Sequence, residues 1–559
     1  MTETAPDRPL VPMPLVRGAR GAVVAPHHLA TAAGLATLRA GGHAVDAAIA
    51  TNAVLGVVLP SGCGLGGDAF WLIWDEAAGR QTALNGSGRA PAAADPAALR
   101  AGGLATLPYR GPLAITVPGA VRSWDDAHRR HGRLPLTEVL GPAIELAWDG
   151  FPAWDGFISA VEGVLPDVVK ALGHGSGFEQ VYRPHGRPWR PGERVRLPAL
   201  ASTLERMAEV GFDDFYDGEI GERQAAGLAA VACSIGVDDL RGHTSTWTEP
   251  IFTDYRGIRV TTHPPNSSGI VALELLNILE TFEPPAPSAF GPNGVEDARW
   301  VHLGIEAAKL AMADRDRFLT DPEFLEISVD TIVSKDHARQ LAGLIDLERA
   351  ARPPAATNPR GGGTIYLATV DAEGNAVSLI QSNYMGFGSG VVDPDTGIHY
   401  QNRGSYFSLD PDHPNVLAPG KRTLHTLLPG MLFRAGEQRP WAVTGSMGGD
   451  AQPQIHAQVV SGLVDGGLDV ATAVGAPRWF VDGDEHFAPP VNVRAERRYP
   501  AAVLDALEVM GHPVTRTIQF NGMLGHAHAI ELIDGGPAAV DGSLAAATDP
   551  RSAGLPAVW

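Results

Sequence analysis

A layered α/β protein is expected from three features of this 559-residue sequence. Apolar residues recur at helical spacing through much of the first 313 residues. Runs rich in β-branched and aromatic residues gather after a break at 353–363, which predicts a strand-rich final third. The 66 glycines and 45 prolines are scattered and not periodic, which suits many tight turns between layers and excludes a collagen-like or linker chain.

The elements follow in order. Leu29, Ala32, Leu35 and Leu38 keep helical spacing, and Gly41-Gly42 supplies the stop. Val45, Ala48, Ile49, Asn52 and Leu55 predict a second helix ending before Pro60. DAFWLIWDE reads as a strand by its aromatic and β-branched content. Helices are expected over 135–150, 199–209, 220–233, 269–281 and 297–313. PPAATNPRGGG (353–363) ends that series with prolines, an Asn-Pro step and three glycines. Beyond it, TIYLATV (364–370) and AVSLIQ (376–381) predict a hairpin joined by DAEGN. WAVTG (441–445) is a further strand, GSMGGDAQPQ leads into a helix carrying Ile455, Val459 and Leu463, and HAIELI (528–533) is a late strand. No internal repeat interrupts this order, and length alone would allow about three to four domains.

Composition narrows the function. With 43 Lys and Arg against 63 Asp and Glu, the formal net charge is −20. Such a chain repels phosphate backbones and anionic membranes, so neither nucleic acid nor a membrane is the expected partner and a small molecule is. Cys63 and Cys233 are the two cysteines, too few for a disulfide framework or a cysteine-based zinc or iron–sulfur site. The first residues lack an apolar signal-peptide core, and the apolar stretch 46–60 is too short to span a bilayer, so a cytoplasmic location is expected.

Several motifs fail on context. Gly62 to Gly67 fits G-x-G-x-x-G but follows a helix and precedes a strand, the reverse of a dinucleotide site. The run ending Pro419-Gly420-Lys421-Arg422 has Asn415 where a P-loop requires glycine. No serine sits in G-x-S-x-G. His526 and His528 share a strand face, but they lack a carboxylate partner at metal-ligand spacing and read as ordinary histidines.

One constellation survives: Gly361-Gly362-Gly363-Thr364 opening a strand. A threonine hydroxyl is a weak nucleophile until a base takes its proton. Making the threonine N-terminal provides its own α-amine as that base, with a pKa of about 7.7–8.0. This requires cutting the chain before Thr364, and the preceding glycines leave the scissile carbonyl uncrowded.

The surrounding blocks resemble the γ-glutamyltransferase family of N-terminal-nucleophile hydrolases. GGHAVDAAIATNAVLGVVLP, GLGGDAFWLIW, GPLAITVPGAVRSW, DDFYDGEIGE, DYRGIRVTTHPPNSSG, PGKR, VTGSMGGD and TDPRS occur in the family's order over nearly the whole chain. The resemblance implies a four-layer αββα sandwich in one unit. It also implies self-cleavage at Gly363–Thr364 into a large subunit (1–363) and a small one (364–559), and leaves further dimerisation of that processed pair open. Thr364 then matches the nucleophile, and Ser382 falls where the family has a threonine that bonds the nucleophile's amine. Gly448 and Gly449 match the pair whose N–H groups form the oxyanion hole. The scheme needs no metal or organic cofactor.

The departures fall on the residues that read the amino-acid end of a γ-glutamyl donor. Ser87 stands for the family's substrate-clamping arginine, with Arg89 two residues on. Tyr406 stands for the aspartate that takes the α-amino group, and Arg403 for the glutamine before it. His425 and Thr426 replace the serine pair that holds the α-carboxylate, and Tyr384 replaces an asparagine, with Asn383 one residue early. The expectation is retained machinery with altered acyl specificity: an amide hydrolase or acyltransferase for a small carboxylate-bearing acyl group. Arg403, Arg89 and Lys421 or Arg422 are the candidate carboxylate ligands. The alternatives are true γ-glutamyl transfer, with glutathione-like donors, and an unprocessed non-catalytic homologue.

Overall fold

In the computed structural model, which describes residues 14–351, 363–482 and 492–559, the hairpin expected after the break forms the middle of a seven-stranded sheet. The break itself, with Gly361 and Gly362, lies outside the described residues; Gly363 lies within them. The strands of the two central sheets are β1 (Val16–Gly18), β2 (Ala22–Val24), β3 (Asp68–Asp75), β4 (Arg80–Gly86), β5 (Thr246–Thr248), β6 (Ile251–Tyr255) and β7 (Ile258–Thr262), followed by β8 (Gly363–Val370), β9 (Ala376–Tyr384), β10 (Pro429–Arg434), β11 (Ala442–Met447), β12 (His526–Ile533), β13 (Ser543–Ala547) and β14 (Ala557–Val558). One sheet runs β14-β2-β8-β9-β3-β4-β5 and the other β1-β13-β12-β11-β10-β7-β6, with antiparallel pairing throughout.

The apolar runs of β3, β8 and β9 show little polar alternation because both faces of each strand are covered. Phe70, Leu72, Trp74, Tyr366, Ala368 and Ile380 meet Met431, Val443, Ile530 and Leu544 of the other sheet. The alternate residues Trp71, Ile73, Ile365, Leu367 and Leu379 face outward onto helices. That helical layer includes α1 (His28–Arg39), α2 (Ala44–Val58), α3 (Ala120–His131) and α4 (Asp155–Leu172). Helix α2 is buried along its whole length, as its all-round apolar surface requires. The second sheet is covered by α5 (Gly269–Glu280), α6 (Ala298–Phe318), α7 (Lys335–Ala342) and α8 (Gln452–Val464). The order helices, sheet, sheet, helices is the four-layer αββα sandwich.

Most expected elements are present, with instructive differences. The helix expected over 135–150 divides into Leu136–Val139 and Gly141–Asp149, with Pro142 in the first turn of the second piece. The sequence reading did not assign α3 or α4; in α4, Gly163 and Pro166 mask an amphipathic face that buries Phe157, Val161, Val164 and Val168. It also missed β6 and β7, so part of the second sheet comes from before the break.

The glycine run 62–67 connects α2 to β3, the wrong order for a dinucleotide site. Its glycines serve close packing instead. A Cβ at Gly67 would lie 2.7 Å from the Ser382 carbonyl oxygen, and one at Gly62 would lie 2.9 Å from Ile365 Cγ2. Only bare backbone can approach the start of β8 and the end of β9 so closely. Among the described residues no helix is long and apolar enough to cross a membrane.

Candidate active site

Strand register brings three polar side chains into line. Thr364 on β8 pairs with Ser382 on β9, which in turn pairs with Asp68 on β3. The pairing slips at the start of β8: Gly363 faces Tyr384, so Asn383 bulges. Thr364 Oγ1 lies 2.9 Å from Ser382 Oγ. The Ser382 hydroxyl donates to the Gly363 carbonyl oxygen at 2.9 Å and accepts from the Tyr384 N–H at 2.7 Å. Either hydroxyl can be the donor between Thr364 and Ser382. Thr364 and Ser382 are both buried. Tyr384 has φ +72°, a left-handed conformation that costs energy for a non-glycine residue and is held by this bonding.

Arg403 enters the same cluster. Its Nη2 donates to Ser382 Oγ and its Nη1 to Thr426 Oγ1, both at 3.2 Å. The guanidinium lies 4.5 Å from the Tyr384 ring centroid and 5.5 Å from that of Tyr406. The side chain is 1% exposed, and its Nε has no hydrogen-bond partner among the described residues. Among those residues no carboxylate pairs with it. Burial pulls its pKa down, an effect that Tyr406 and Asp68 oppose. A buried guanidinium without an ion-pair partner is costly, which makes this group conspicuous.

The glycine pair lies beyond the tyrosines. Gly448 (φ +152°) and Gly449 (φ +57°) turn the chain from β11 through a short 3₁₀ segment into α8, a conformation suited to glycine. The next residue, Asp450, accepts from the Tyr406 hydroxyl at 2.6 Å and from Arg315 Nη1 at 2.5 Å. A chain of contacts thus runs Thr364–Ser382–Arg403–Tyr406–Asp450 and ends beside the glycine pair.

A second buried network adjoins the first through Asp68. Asp68 accepts from the Gly88 N–H at 2.9 Å and sits 3.1 Å from His425 Nε2. The His425 N–H donates to the Asn266 carbonyl, and Asn266 reaches Ser87 Oγ at 3.3 Å. Ser87 also donates to Asn85 Oδ1, and its carbonyl accepts from Arg422. The remaining cations are already engaged. Arg89 lies 3.6 Å from Asp321 and 3.5 Å from Glu323, and Lys421 donates to the Pro414 carbonyl. The structure therefore brings Thr364, Ser382, Tyr384, Arg403, Tyr406 and Thr426 together, joins His425 and Ser87 through Asp68, and sets Arg89 apart.

Burial pushes the Asp68 carboxyl up from 3.8 to about 6, against the opposing pull of Arg403 and the Gly88 N–H. The folded state therefore holds a proton here that the unfolded state releases between those two values, so this group's contribution to stability falls as pH rises from about 4 to 6. Denaturant titrations should show the stability of wild type relative to Asp68→Asn declining between about pH 4 and pH 6. A pH-independent difference would contradict this environment for Asp68.

Asp68, Asp450 and Arg315 were not singled out from the sequence. The two aspartates each border a glycine run inside a quoted block, GLGGDAF and SMGGD, and a carboxylate in such a setting was the available signal. His528, considered above as a metal ligand, accepts the Asp549 N–H through Nδ1.

Comparison with known proteins agrees with this architecture. The Gamma-glutamyltranspeptidase family profile matches residues 30–559. The chain is 38% identical to the oxamate amidohydrolase proenzyme of Klebsiella pneumoniae over 549 residues, covering 96% of this chain and 98% of that one. It is 37% identical to the glutathione hydrolase-like YwrD proenzyme of Bacillus subtilis over 544 residues, covering 96% and 98%. The crystal structure of cephalosporin acylase from Bacillus halodurans superposes with a TM-score of 0.88 at 38% identity, covering 100% of this chain and 99% of that one. The αββα sandwich is thus of the N-terminal-nucleophile hydrolase type, and the chain belongs to the γ-glutamyltranspeptidase family of hydrolases.

Proposed function

We propose that this protein is a self-processing amide hydrolase that uses Thr364 to cleave a small acyl amide bearing a carboxylate. One observation carries the reading: Thr364, Ser382 and Arg403 are joined by consecutive hydrogen bonds in a buried cluster. The separation of the Arg403 guanidinium from the nucleophile oxygen cannot exceed the sum of those two bonds. A carboxylate held by Arg403 therefore belongs to a short acyl group whose carbonyl can reach Thr364.

The same geometry supports maturation. Ser382 donates to the Gly363 carbonyl oxygen, which draws electron density from the carbon that Thr364 Oγ1 must attack. Attack forms an ester between Gly363 and Thr364 Oγ1 and releases the Thr364 nitrogen as an amine. Water then hydrolyses the ester, giving subunits 1–363 and 364–559. In the mature enzyme that amine takes the hydroxyl proton as Thr364 attacks substrate, then returns it to the leaving amine. The N–H groups of Gly448 and Gly449 are assigned to the oxyanion, and water releases the acyl group.

Arg403 is the carboxylate ligand in this reading because Arg89, Lys421 and Arg422 already have partners. Tyr406 donates its hydroxyl proton to Asp450 and, unlike the aspartate it stands for, carries no negative charge to pair with an ammonium group. Support also comes from a relative named for oxamate, whose carboxylate adjoins its amide. The test is a substrate panel: amides of oxalate, succinate and glutarate, an uncharged acyl amide of matched length, and a γ-glutamyl anilide. A carboxylate-bearing amide should be preferred at least tenfold in kcat/KM over its uncharged match. Preference for the γ-glutamyl anilide would replace this reading with γ-glutamyl transfer, and inactivity on every amide with an uncut chain would favour the non-catalytic homologue.

A further inference from the structure

We propose a divalent-cation site on the outer helical layer, formed by Glu274 of α5, Asp314 of α6 and His337 of α7. One ligand atom from each residue lies within 4.8 Å of the others. His337 Nε2 is 2.6 Å from Asp314 Oδ2 and 3.3 Å from Glu274 Oε1. Ligands held about 2.0–2.2 Å from one ion stand roughly 3 Å apart, so these spacings need only small side-chain adjustments.

A second observation points to a ligand. The Glu274 side chain is 1% exposed, and its Oε1 makes no well-aligned hydrogen bond among the described residues, with the 3.3 Å contact to His337 beside it. The cluster also borders a narrow apolar cleft lined by Ile270, Phe318 and Leu325.

Charge agrees. With both carboxylates ionised, even a protonated His337 leaves the cluster negative. The neighbouring cations are committed elsewhere: Arg315 to Asp450 and Asp316, and Lys335 to Glu280, Asn277 and the Asp254 carbonyl. A divalent ion with neutral His337 brings the cluster to zero. One imidazole nitrogen and two carboxylates suit Zn²⁺ or Mn²⁺ better than Ca²⁺ or Mg²⁺, which favour all-oxygen shells. Such an ion would tie three helices together next to Arg315, the residue that holds Asp450.

His302, Glu306 and His512 form another cluster of ligand type, but Lys309 Nζ already sits 2.6 Å from Glu306 Oε1 and supplies its positive charge. It therefore serves as an internal control. The experiment strips the full-length protein with EDTA, adds Zn²⁺ or Mn²⁺, desalts it and measures retained metal by mass spectrometry. Wild type should retain about one equivalent and melt at higher temperature when loaded. Glu274→Gln and His337→Gln should lose that equivalent, while His512→Gln keeps it. X-ray absorption of zinc-loaded wild type, which depends on no variant, should show one imidazole in an otherwise oxygen shell. No retained metal, retention by Glu274→Gln or His337→Gln, or a two-imidazole shell would overturn the proposal.

Discussion

Replacing Arg403 by methionine is expected to lower kcat/KM for a carboxylate-bearing acyl amide by about 10²–10³-fold while leaving the uncharged analogue within about threefold, because a desolvated charge pair is worth roughly 2–5 kcal/mol. Melting temperature should not fall. The guanidinium is buried, makes two 3.2 Å bonds, leaves Nε unpartnered and pairs with no carboxylate among the described residues, so its removal relieves a desolvation cost. Lost activity with unchanged or raised stability separates a substrate ligand from a structural residue. Arg403→Lys should not restore activity, since one ammonium cannot bond Ser382, Thr426 and a carboxylate with the geometry of a planar fork. Equal losses on charged and uncharged substrates would assign Arg403 to positioning Ser382 instead.

Thr364→Ala should abolish both chain cleavage and turnover, with kcat down by about 10⁴–10⁶-fold, the range seen when a covalent nucleophile is removed. Thr364→Ser keeps a hydroxyl at the same backbone position and should still mature, more slowly, because it lacks the methyl that restricts the rotamer. Ser382→Ala removes the donor to the Gly363 carbonyl and the hydroxyl partner of Thr364, so it should slow maturation even though Thr364 is intact. Time courses of subunit appearance for the three variants would show this order. A Thr364→Ala protein that retains activity would remove Thr364 from the chemistry.

The legible parts of the sequence were those in which one local rule acts alone. The α1–α2 pair, the 364–381 hairpin and the Gly448–Gly449 turn could be placed from spacing and turn residues. Helix α4 could not, because Pro166 and Gly163 signal a break that the packing of Phe157, Val161 and Val168 overrides. Strands β6 and β7 escaped because they add to a sheet whose other members lie far along the chain. At the site, the glycine run before a strand pointed to Thr364, and the family resemblance pointed to Ser382 and Arg403. Which arginine lies near Thr364 depended on tertiary contacts: Arg89 and Arg403 look alike in sequence, yet one pairs with Asp321 and the other lies beside Ser382. Asp68 emerged only from strand register, which aligns it with Ser382 across β9 and β3.

The central claim is that the chain becomes an N-terminal threonine enzyme by cutting itself. Intact mass and N-terminal sequencing of purified wild-type protein test it most directly. The expected result is two chains whose masses sum to that of the 559-residue precursor plus one water, the smaller beginning Thr364-Ile365-Tyr366. A chain that stays whole, or is cut at another bond, while turning over substrate would contradict it.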